Sequence, residues 1–118
     1  MRQAFAHDAV LLMEPDSDVR APGAAITVGL CGHWNHPPPC PLAPHWVEAN
    51  RDGDEARVRV LFAAEPDAEQ EVRDRIDRAL SGRIQFPAGF AVQWRLIESR
   101  PSAVAPSESD TATHLIQH

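Results

Sequence analysis

Apolar positions along the 118-residue chain recur with two different periods, and they predict five strands and one helix separated by turn-rich segments. Residues 9–13 form a short apolar run that stops at Glu14 and Pro15, the signature of a short buried strand. Pro15, Asp16, Ser17 and Asp18, then Ala21, Pro22 and Gly23, favour turns and predict a loop. From residue 24 the pattern has period two: Ile26, Val28, Leu30 and Trp34 share one face, while Thr27, Gly29, Cys31 and His33 share the other. A strand over residues 24–34 is expected, with Cys31 and His33 on its polar side.

Residues 36–44 contain five prolines and cannot form an interior strand or helix, because proline lacks an amide hydrogen and fixes φ. They predict an extended, stiff loop that carries Cys40. Residues 45–51 and 54–63 flank Asp52-Gly53, the preferred pair for a two-residue type I′ hairpin turn. That turn would pair Arg51 with Asp54, Glu48 with Arg57, Val47 with Val58, Trp46 with Arg59 and His45 with Val60, putting His45 on the core side.

The segment 65–81 opens with Pro66 near its first turn and is followed by Gly82. Val72, Ile76, Ala79 and Leu80 recur at helical spacing, with charged residues between them. An amphipathic helix laid on a sheet is expected, its charges solvated. Residues 90–97 alternate again as a strand, and residues 99–118 turn polar and predict a mobile tail beyond a globular unit at 1–98. The last residues keep enough apolar character to dock on another surface. The expected class is α+β: a single antiparallel or mixed sheet of four to five strands with one long helix packed on one face. A lone helix leaves the other face open, which points to a homodimer through that helix-free face.

Composition narrows the function. The length fits one domain, and 43% hydrophobic with 24% charged residues is a globular balance. Net charge is −6, and all 11 basic residues are arginine. An acidic chain without basic runs is a poor match for a nucleic-acid backbone, and the absence of lysine excludes Schiff-base chemistry. No apolar run resembles a signal peptide or a membrane span, so a cytoplasmic protein with reduced thiols is expected.

The strongest anomaly is chemical. Five of the eight Cys and His residues (Cys31, His33, His36, Cys40 and His45) lie within 15 residues, where an average window of that length would hold about one. Thiolate with imidazole suits zinc, and tetrahedral sites of two Cys and two His are common. The five therefore form a candidate metal site, with zinc the expected ion and another transition metal the alternative. One residue exceeds the four positions, and the spacing is not that of a zinc finger. Cys31, His33 and Cys40 are the leading ligands, with His36 and His45 competing for the fourth place. A closed site would be structural; three ligands and an open position would allow metal-bound water and chemistry on a small molecule. A protein-interaction module built on the proline-rich loop and Trp34 or Trp46 is a third reading. A disulfide between Cys31 and Cys40 and a copper site fit less well, the first for redox reasons and the second because Met13 lies upstream. His7, His114 and His118 are isolated and are expected at the surface or in the tail. Phosphate-loop, nucleophile-elbow and Cys-x-x-Cys motifs are absent.

Overall fold

Strand β1 (Gln3–Met13) begins well before the apolar run at 9–13. Its helix-facing side carries Phe5, His7, Ala9, Leu11 and Met13, and its other side carries Ala4, Ala6, Asp8, Val10 and Leu12, the period-two alternation of a strand. His7 and Asp8 interrupt the hydrophobic pattern but not the strand, because each finds a polar partner in the fold. The computed structural model describes residues 1–14, 17–31, 44–81, 83–85 and 91–117. It continues with α1 (Ala21–Cys31), β2 (His45–Asp52), β3 (Glu55–Ala64), α2 (Glu69–Ala79), β4 (Arg83–Gln85), β5 (Ala91–Ser102) and α3 (Ser109–Ile116). One antiparallel sheet of order β2-β3-β1-β5-β4 results, with β1 in the middle. Leaving aside β4 and α3, the path is β-α-β-β-α-β, a split arrangement in an α+β class.

The strand expected over residues 24–34 is a correction: residues 21–31 are helix α1. Ile26 and Leu30 are four apart and fit both periods, so they could not decide between them. The buried set Ala21, Ala25, Ile26 and Leu30 has helical spacing, whereas Val28, which a strand would bury with them, is only half-buried. Pro22 sits in the first turn, where its missing amide hydrogen is no loss, so the expected loop at Ala21, Pro22 and Gly23 is the start of the helix. The single long helix is therefore replaced by two 11-residue helices, α1 and α2, side by side on one face, and the 8-residue α3 on the other.

The two layers bury most of the apolar side chains. Ile26 and Leu30 of α1 and Val72, Ile76 and Leu80 from the α2 segment pack against Leu11, Val58, Val60 and Phe62 of the sheet. Each such side chain contributes roughly 1.5–3 kcal/mol when fully buried. The indole N–H of Trp94 on β5 donates to the Leu80 carbonyl at 3.0 Å and closes the end of α2. Against the far face, Leu115 of α3 packs on Ala6, Leu61 and Ala63. The boundary expected at residue 98 falls inside β5, and the following segment folds back as α3 over its own sheet.

The β2–β3 hairpin forms in a register two residues from the expected one. Asp52 pairs with Glu55, Glu48 with Arg59, Val47 with Val60 and His45 with Phe62. A two-residue slip preserves the faces, so His45 still points to the helix side. The turn residues are Gly53 and Asp54, not Asp52 and Gly53. Gly53 has φ +64°, and no non-glycine residue among those described has a positive φ. A type I′ turn would have forced Asp52 into that region; placing Gly53 first, as in a type II′ turn, needs it only at glycine. Among the described residues no helix is long and apolar enough to cross a membrane.

The two helices touch at Gly29, where an added Cβ would lie 3.3 Å from the Ala79 Cβ and 3.5 Å from the Arg75 carbonyl oxygen. Gly29→Val should force α1 from α2 and destabilise the fold by about 1–3 kcal/mol. Urea denaturation of the variant against the wild type measures this; unchanged stability would mean that the helices do not meet there.

Candidate functional site

The structure separates the five candidate ligands by what it describes. Cys31 is the last residue of α1, so it does not stand on a strand face beside His33. His33, His36 and Cys40 lie outside the described residues. His45 is the first residue of β2, half-buried on the helix side, with its Nε2 3.0 Å from the Thr27 hydroxyl of α1. Thr27 and Cys31 are one helical turn apart, about 6 Å along the axis at 1.5 Å per residue. The described residues on the two sides of the Cys/His-rich segment thus meet where α1 and β2 are in contact. The Pro44 carbonyl accepts from the Ala63 amide at 3.0 Å, which fixes the return onto β3. Among the described residues no group of three or more Cys, His, Asp or Glu side chains could hold a metal ion.

A second constellation escapes the hydrophobic pattern altogether. His7 is 2% exposed and Arg73 5% exposed, so both lie inside, against the expectations of a surface histidine and a solvated helix charge. Arg73 donates to His7 Nδ1 at 3.1 Å and to the Ala6 carbonyl at 2.7 Å. It also pairs with Glu69 at 2.8 Å, and its guanidinium lies 5.3 Å from the centroid of Phe62 and 5.9 Å from that of Phe5. A buried cation is tolerated only when compensated in this way. On the other side of the ring, His7 Nε2 is 2.7 Å from the Ser99 hydroxyl and 3.4 Å from Asp77, and Ser99 hydrogen-bonds Asp77.

Serine, histidine and aspartate together suggest nucleophilic catalysis, but the proton positions oppose it. Arginine can only donate, so His7 Nδ1 is the acceptor and Nε2 carries the proton. That N–H donates to Ser99, whose hydroxyl donates to Asp77. Nε2 therefore has no lone pair with which to take the Ser99 proton, and the general-base step of a triad is blocked. The network is a latch that ties α2 to β1 and β5. Burial pushes the His7 pKa below its usual 6.5, with Arg73 adding to the shift and Asp77 opposing it.

A matching latch lies on the far face. Arg59 holds Glu108 through two bonds of 2.8 and 2.7 Å, Asp8 at 2.9 Å, Ser102 at 3.2 Å and the Ala103 carbonyl at 2.8 Å. The Arg59 bonds, aided by the Ala105 amide, hold the Glu108 carboxyl at about 2. Arg51 ties the hairpin turn to the β1–α1 connection, donating to the carbonyl of Gly53 at 3.0 Å and to those of Ser17 at 2.6 Å and Glu14.

Two signals in the sequence could have found the first latch: His7 falls on the apolar face once the alternation is traced back to Phe5, and Arg73 lies next to Val72 on the apolar stripe of α2. Compared with known proteins, the chain matches no family model, no curated protein and no solved structure.

Two outcomes are expected. The folded pKa of His7 is below the unfolded value, so the unfolded state binds more protons. The stability from neutral His7 is complete above pH 6.5 and declines as pH falls below it, by at most about 1.4 kcal/mol per unit, until the folded pKa is reached. Urea melts at pH 7.5 and 5.5 should show this slope reduced in His7→Gln; identical slopes would contradict it. Glu108, with a folded pKa below its usual 4.5, stabilises above that value and loses its contribution as pH falls through about 2. At neutral pH, Glu108→Gln should speed amide exchange across α3 by about tenfold while β1 and β3 stay protected, and unchanged α3 protection would exclude the latch.

Proposed function

We propose that the protein is a small metal-binding domain in which the Cys/His-rich segment from Cys31 to His45 holds a zinc ion. The observation that carries this reading is the Thr27–His45 contact, which brings the start and the end of the segment to one junction between α1 and β2. A metal-bound imidazole is generally oriented by a hydrogen bond to its second nitrogen, and the Thr27 hydroxyl is placed to provide one for His45. Cys31 and Cys40 supply thiolates, and His33, His36 and His45 supply imidazoles, the donor types that select zinc. Bound there, zinc would cross-link α1 to β2 across the proline-rich segment of the sequence. It would act as a structural ion, with four of the five residues ligating and the fifth supporting them. Standing at a helix end instead of on a strand, Cys31 keeps its place among the donors and anchors the exit of α1.

Protein purified without a histidine tag should carry about one zinc per chain, bound by four protein ligands in the manner of structural sites. Cys31→Ser should release the metal and lower the melting temperature by roughly 10 °C or more, as expected when several kcal/mol are lost from a domain of this size. Cobalt substituted for zinc should give a visible spectrum indifferent to added azide. A metal-free protein with both thiols freely titratable would end the proposal. A cobalt spectrum that shifts with azide would move the reading to an open, catalytic position.

A further inference from the structure

The sheet face opposite α1 and α2 is only partly covered. Packing of α3 on Ala6, Leu61 and Ala63 covers the half near the start of β1, and the Arg59–Asp8–Glu108 latch closes that half. The remaining half is apolar along β1, where Val10 is half-buried and Leu12 is 42% exposed. Ile97 is 51% exposed, and it is the extra residue of a bulge: Val10 pairs with Glu98 and Leu11 with Leu96, so Ile97 has no opposite number.

The charges flanking this stripe alternate in a specific way. At the level of Leu12 the row across the strands reads Glu55, Leu12, Arg95. At the level of Val10 it reads Arg57, Val10, Glu98. Acid and base thus exchange sides from one row to the next, like a checkerboard. The four charges cancel, although the chain as a whole carries −6, so a second copy can approach here without the repulsion the rest of the surface would impose.

We propose that this half of the sheet binds a second copy of the chain, face to face, about a two-fold axis that runs across the strands between the Val10 and Leu12 rows. A two-fold interface must be complementary to itself, and this one is. Arg57 lies over Glu55 of the second copy, and Glu98 lies over Arg95 of the second copy. Val10 lies over Leu12, and the two Ile97 side chains meet near the axis. The groove of about 480 Å³ that Val10, Arg57 and Glu98 help to line receives Leu12 of the second copy. The two α3 helices fall at opposite ends, where each borders the partner sheet instead of colliding with it. An axis along β1 would also join opposite charges, Arg57 with Glu98 and Glu55 with Arg95, but it would stack each α3 against the partner's β5. This inference is independent of the metal reading, since none of its residues lies in the segment from Cys31 to His45.

Sedimentation equilibrium of the full chain from micromolar to millimolar concentration tests it, with the wild type expected to approach twice the 13.0 kDa chain mass. Arg57→Glu leaves two acids in register and Glu55→Arg leaves two bases, so each variant alone should associate about tenfold or more weakly. Mixed in equal amounts, the two variants should recover wild-type affinity as a heterodimer. In that mixture both acids at positions 55 and 57 of the first variant face the two bases at positions 57 and 55 of the second. A folding defect cannot produce that rescue, and an axis along β1 does not predict it. A wild type that stays at the chain mass at millimolar concentration would overturn the proposal. So would variants that associate like the wild type, or a mixture that fails to associate.

Discussion

Two adjacent polar residues in the central strand organise the whole structure. His7 and Asp8 point to opposite faces of β1; His7 is buried, where an unpartnered polar group is costly, and Asp8 is partly exposed at the edge of the α3 contact. Each is satisfied by an arginine that reaches in from its own side. His7 meets Arg73 of α2, and Asp8 meets Arg59, which in turn grips Glu108 at the entrance to α3. Burial of apolar area drives the layers together, but it is indifferent to register. These hydrogen-bonded charges are directional, and they fix where along β1 each helix rests. Guanidinium is well suited to both places, because its planar fork satisfies several acceptors at once and its faces pack on aromatic rings such as Phe62.

The placement of the residues that flank the Cys/His-rich segment follows from that arrangement. With α2 fixed by His7, close packing at Gly29 sets α1 beside it, and the antiparallel pairing from β1 through β3 to β2 sets His45. Thr27 then meets His45, and the chain between Cys31 and His45 has both of its ends held. Of the five candidate ligands, Cys31 stands at a helix end and His45 at a strand start, positions more rigid than a free loop.

The fold is legible in the chain where one period alone fits and illegible where two do. The helix at α2 and the strand core of β5 show one period each, and both form where expected. The segment at α1 shows Ile26 and Leu30 in a spacing common to strand and helix, and only the buried Ala21 and Ala25 separate the two. The hairpin is visible from Asp52-Gly53, yet its register depends on which residue takes the positive φ, and glycine takes it alone. The early part of β1 and the end of β5 are hidden because His7, Asp8 and Ser99 look like surface residues until their partners are known. The arginine partners of His7 and Asp8 lie more than 50 residues away, at Arg73 and Arg59, and Ser99 meets His7 itself across the sheet, beyond the reach of any local pattern. The clustering of Cys and His is visible at once, but its geometry is not, because Cys31 stands at a helix end where the local alternation points to a strand.

The central functional claim concerns what Cys31 to His45 bind, and the coordination shell itself is the most direct witness. Zinc K-edge X-ray absorption on protein purified without a tag should show a four-coordinate shell of sulfur at about 2.3 Å and nitrogen at about 2.0 Å. A shell of oxygen and nitrogen alone, or no zinc edge at all, would contradict it.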